Sequence, residues 1–150
     1  MLPVRPQRSE RANATLLPSM GYAEMYVKAF TFIFGVYGIQ MLLIPGNMVT
    51  DHWDMPSTPG MEFWIRGSAI SIFAVCMLMM YTPTSVAAKV GLFVSVCIIG
   101  VCYPWNAKFG YFTPNLPLKY PMHYVPELLM LALSGMGMAA MMAPSKGKDA

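Results

Sequence analysis

Charge is what this sequence has least of. Asp, Glu, Lys and Arg make up 11% of its residues, against roughly 25% in soluble domains. A chain this poor in charge cannot coat a water-facing surface. Histidine is scarce as well: there are two, His52 and His123. Neither lies deep in an apolar run, which argues against a bis-imidazole haem site. The three cysteines, Cys76, Cys97 and Cys102, are odd in number and match no zinc or disulfide spacing. Each reads as a small buried apolar side chain. No HExxH, P-loop, GxSxG or Rossmann fingerprint occurs. No charge stands at the middle of an apolar run, where a proton relay or coupled transporter needs one. No repeat with interrupted helices is visible. These gaps point away from an enzyme. The basic residues, net +3, form no run interleaved with aromatics, which excludes a nucleic-acid surface.

Long hydrophobic runs are abundant. Hydrophobic residues make up 56% of the chain, and the mean hydropathy is +0.49. Residues 67–88 carry no charge, and the stretch from Glu62 to Tyr81 has no polar face. A helix apolar all round is either a core helix or a membrane span. At 1.5 Å per residue, about 20 residues cross the hydrocarbon layer. Four stretches fit, at about 26–44, 62–81, 86–103 and 126–142. The expected fold is therefore all-α, a polytopic integral membrane protein of four transmembrane helices with both termini on one side. Residues 1–25 form an extended basic arm, 26–142 the four-helix domain and 143–150 a short basic tail. The 16 methionines are packing material for irregular gaps. Met77, Met79 and Met80 point in different directions on a helix, unlike a metal-conducting array.

The arm carries Arg5, Arg8 and Arg11 against Glu10. No apolar segment follows closely enough for a secretory signal. Pro3, Pro6 and Pro18 break the amphipathic helix a transit peptide needs, so the arm is expected to lie along a partner or the membrane surface. Glu24 and Lys28 stand four apart at the start of span one, a plausible interfacial pair. Pro45-Gly46 ends that span. The loop that follows holds Asp51, His52, Trp53 and Asp54. A histidine between carboxylates invites a metal, but nothing else nearby supplies the third ligand. The loop reads as solvated, with Trp53 at headgroup level. Spans two and three are joined by a tight turn at residues 82–85 and form a hairpin. The second long loop, 106–122, is aromatic and proline-rich, and is expected to lie against the membrane or another protein.

Candidate site residues are few. Gln40 is the strongly polar side chain inside span one, able to bond a neighbouring helix or reach a pigment or quinone. Glu62 and Arg66 share a helix face; Arg66, about one turn inside the interface, can anchor structurally or meet a lipid phosphate or partner subunit. His123 and Glu127, also four apart, read as a polar cap at the start of span four or as a metal or chlorophyll ligand pair. With Asn106 and Gln40 they are the candidate pigment ligands. No other metal site is expected. Gly67, Ser71 and Ala74 on span two, Gly91, Ser95 and Gly100 on span three, and Ala132, Gly135, Ala139 and Ala140 on span four offer small faces for helix contact. Seven Lys and Arg fall on the side of the termini and three on the other, which places both termini on the cytoplasmic, matrix or stromal side.

The segment from Gly38 to Pro45-Gly46, followed by Ile65-Arg66-Gly67-Ser68-Ala69 opening span two, resembles the small four-helix membrane proteins of the DoxX-like type. The resemblance covers about half the chain and implies the four-helix fold and little about activity. Glu62 and Arg66 resemble the ion-paired residues of light-harvesting proteins in type alone. Ile65 stands where that pattern has an amide or imidazole, so the chain is not assigned to that family. The functional expectation is a non-catalytic accessory subunit of a large bioenergetic membrane complex. A photosystem in the plastid thylakoid is preferred to a respiratory complex of the mitochondrial inner membrane. Its expected partners are neighbouring membrane subunits and lipids, with chlorophyll and carotenoid at its periphery. The alternative is a small transporter or lipid-handling protein with Arg66 and Gln40 lining a cavity.

Overall fold

A computed structural model describes residues 21–102 and 117–143. They form five helices: α1 (Tyr22–Leu43), α2 (Pro45–His52), α3 (Pro59–Tyr81), α4 (Thr84–Cys102) and α5 (Tyr124–Met142). No strand occurs among the described residues. Three helices, α1, α3 and α5, are long and apolar enough to cross a membrane. The apolar part of α4, Thr84–Gly100, is shorter. The arm, Asn106 and most of the aromatic loop lie outside the described residues.

The first long loop of the sequence reading proves to be partly helical. Pro45 disfavours helical backbone at the residue before it, and Ile44 adopts φ −131°, ψ 54°. That single residue breaks α1 from α2. Pro45 then serves as the first helical residue of α2, where its missing N–H costs nothing. So Pro45-Gly46 ends one helix, as expected, and also starts another. Helix α3 begins earlier than its apolar run. Thr58 caps it, its hydroxyl accepting from the Met61 N–H at 3.3 Å, and Pro59 follows in the first turn.

α1 is the hub; it touches every other helix. Tyr26, Phe30 and Phe34 repeat every four residues and share one face. Tyr26 and Phe30 are completely buried, and Phe30 stacks on Phe34 with centroids 4.0 Å apart. Around them lie Cys76 and Met79 of α3, Ala87 and Ala88 of α4, and Met130 and Leu133 of α5. The Tyr26 ring lies against Gly91 of α4 and Gly137 of α5: a Cβ at either glycine would stand 3.0 to 3.1 Å from Tyr26 atoms. The absent side chains are what let an aromatic ring fit between three helices. α3 and α5 do not touch among the described residues, so they flank the α1–α4 pair on opposite sides.

Candidate functional site

The two histidines of the chain, 71 positions apart in sequence, meet at one end of the bundle. Their rings stand 5.9 Å apart, edge to face. His52 closes α2, and His123 precedes the first turn of α5. The connection between them is made by backbone. The Asp54 N–H donates to the Pro117 carbonyl (2.8 Å), and the Lys119 N–H donates to the His52 carbonyl (2.9 Å). Trp53 and Leu118 pair as an isolated antiparallel bridge. The Lys119 ammonium donates to the Thr50 carbonyl at 2.8 Å. A turn over 119–123, with a cis Tyr120–Pro121 bond, then delivers Tyr120 and His123 to the same spot.

The result is a polar box lined by aromatic rings. Trp53 lies 6.1 Å and Tyr120 5.9 Å from the His123 ring. The Tyr120 hydroxyl donates to Glu127 Oε1 at 2.9 Å, and the same oxygen is 3.8 Å from His123 Nε2. His123 is 5% and Glu127 8% exposed. Desolvation first, then the bond to Glu127, push the Tyr120 phenol up to about 12. Burial lowers His52, and the neighbouring His123 lowers it further, while Asp51 acts in the opposite sense. Trp53 Nε1, His52 Nδ1 and both His123 nitrogens are buried without a hydrogen-bond partner. Unpaired polar atoms in such a place each cost about 1–3 kcal/mol, so this end of the bundle carries unmet bonding capacity.

The sequence reading of the His52 segment as a solvated loop is corrected here: His52 and Trp53 are half-buried and pack on His123. A third polar partner exists, but it comes from the other long loop. No group of three His, Cys, Asp or Glu side chains is placed to hold a metal ion among the described residues. Neither His123 nitrogen has a hydrogen-bond partner. His123 does not cap α5 through its side chain either.

The other candidates lie elsewhere. Gln40 is exposed on the outside of α1, twelve positions before His52. Glu62 and Arg66 pair at 3.6 Å. Glu62 also accepts from the Ser57 hydroxyl (3.1 Å), and a Cβ on Gly46 would stand 3.1 Å from its Oε1. Glu62 thus lies close against the start of α2, while Arg66 faces outward, with 47% of its side chain exposed. Glu24 and Lys28 pair at 2.7 Å. Tyr120 and Lys119 were not singled out from the sequence. The signal that finds them is parity: in an up-and-down bundle the loops after the first and third long helices share one end.

Small residues divide within helices: Gly137 and Ala140 of α5 and Ala69 of α3 are buried, and Gly100 of α4 is exposed. Gly91 and Ser95 of α4 are buried inside. Gly67, Ser71 and Ala74 of α3, and Ala132, Gly135 and Ala139 of α5, are exposed, and a Cβ at Gly67 or Gly135 would meet nothing within 4 Å. Compared with known protein families, with curated proteins and with solved structures, the chain matches none.

Proposed function

We propose that this chain is a four-span integral membrane protein serving as a non-catalytic accessory subunit of a multisubunit membrane complex. The observation that carries the reading is the outward direction of two small-residue faces, Gly67/Ser71/Ala74 on α3 and Ala132/Gly135/Ala139 on α5. In lipid there is little hydrophobic gain from helix association, so close backbone approach at small residues drives it. These faces are unused inside the chain and are available to other transmembrane helices. The shorter α4, joined to α3 by a tight turn, makes the fourth span, and the lysine and arginine distribution supports both termini on one side.

The finer form of the reading is a photosystem subunit of the plastid thylakoid, with the mitochondrial inner membrane as the alternative. It rests on the sequence alone. Its candidate chlorophyll and carotenoid contacts are His123 and Glu127 at the box, Gln40, exposed on α1, and Asn106. Extraction of native membranes in mild detergent, followed by a sizing column and an absorbance scan, tests both levels. We expect the chain to elute in a much larger particle; elution at its own size rejects the accessory role. Chlorophyll and carotenoid bands in that particle support the thylakoid form, and their absence rejects it. The alternative reading is a small transporter or lipid-handling protein using Arg66 and Gln40, both exposed.

A further inference from the structure

Between α1 and α3 lies an open groove of about 440 Å³, its walls formed by Lys28, Thr31, Gly35, Phe73, Cys76 and Met80 among others. We infer that it holds one acyl chain of an anionic phospholipid, with the lipid phosphate at the Lys28 end. The site is independent of the accessory-subunit reading and needs only that α1 and α3 span a bilayer.

Size selects the occupant. A helix with side chains is about 10–12 Å across and fills that volume in roughly one turn, so a partner helix does not seat in it. A hydrocarbon tail does. The depth comes from Gly35, whose missing side chain leaves open space within 4 Å, and the walls are apolar carbon and sulfur. Thr31 adds little polarity, because its hydroxyl donates to the Val27 carbonyl at 2.9 Å. From Lys28 to Gly35 the groove follows α1 for about 10 Å of rise.

Charge selects the headgroup. The described part of this end of the bundle holds Lys28, Lys89 and Glu24, two cations to one anion, with Glu24 paired to Lys28. The opposite end holds Asp51, Asp54, Glu62 and Glu127 against Arg66 and Lys119. A cation at headgroup depth above an apolar groove is the complement of a phosphate above a tail, and basic residues at that level favour anionic lipids.

The full chain, reconstituted in vesicles of equal phosphatidylcholine and phosphatidylglycerol and re-extracted in detergent, is read by native mass spectrometry. We expect one retained phospholipid per chain, enriched in phosphatidylglycerol. Gly35→Phe fills the groove and is expected to lose it. Lys28→Ala is expected to keep a lipid but to lose about five-fold of the preference for phosphatidylglycerol. Val96→Phe, on the exposed surface of α4 and outside the groove, should change neither, and far-UV circular dichroism checks that each variant keeps its helices. If Gly35→Phe retains as much lipid as the parent while remaining helical, or if the parent carries both lipids equally, the inference is overturned. Loss of the larger complex on a sizing column with lipid retention intact would count against the accessory role alone.

Discussion

Tyr26 enters the bundle with its ring between two glycines, and the consequence can be measured one methyl at a time. A Cβ at Gly137 would stand 3.0 Å from Tyr26 Cζ and 3.1 Å from Leu92 Cδ1. The buried Tyr26 ring has no room to swing aside, so the packing around it must give by a few tenths of an ångström. Gly137→Ala is expected to destabilise the fold by about 1–3 kcal/mol. Gly135→Ala, two residues away on the exposed face, meets nothing and should cost nothing. Unfolding of both variants in one detergent compares them directly; equal stabilities would show that the ring does not set the α1–α5 distance. At the other end of the bundle His52 carries the pH dependence. Burial and the adjoining His123 hold its folded value below the ordinary 6.5, so the unfolded chain binds the proton more readily. Stability is therefore complete above about pH 6.5 and falls as pH drops through that value towards the folded one. His52→Phe should flatten the midpoint between pH 7.5 and 5. An unchanged slope in that variant would assign the proton uptake to another group.

At the scale of elements, the contact between α2 and the segment before α5 is a unit made of backbone bonds and one indole. Asp54, Lys119 and the Trp53–Leu118 bridge lie within it. Trp53→Ala removes the ring that packs on both histidines. The Asp54 and Lys119 amides should then exchange together, about tenfold faster, equivalent to about 1.4 kcal/mol of local opening, with α4 amides unaffected. Independent changes at the two amides would show that they do not belong to one cooperative piece. This unit also marks where reading the sequence stops. Three of the long helices, and the pairings Glu24–Lys28 and Glu62–Arg66, follow from runs and spacings within one segment. α2 did not, because Pro45-Gly46 is equally a stop and a start, and the six helical residues after it hold only two apolar side chains, Met48 and Val49. The meeting of His52 with His123 did not, because a contact across 71 positions is set by which helix ends share a face. His123 and Glu127 were visible as a pair at i, i+4; that Tyr120 donates to Glu127 depends on a turn no local pattern announces.

On the whole-molecule scale the feature that matters is that α3 and α5 sit on opposite flanks of the α1–α4 pair, and each carries small residues on its outer face. A single partner helix cannot cover both faces. The chain therefore has room for two lateral neighbours, one per flank, and their loss should be separable. Gly67→Leu blocks close approach at α3, and Gly135→Leu does so at α5; neither glycine contacts the chain's own core, so the monomer should stay folded. In native membrane extracts each variant is expected to release a different set of co-purifying subunits, and the double variant should elute near the size of the 16.6 kDa chain in its micelle. One shared set released by both variants would mean a single neighbour reaching around the molecule. Retention of the whole particle by the double variant would move the contacts to another surface of the chain, and the outward small faces would then be lipid surface.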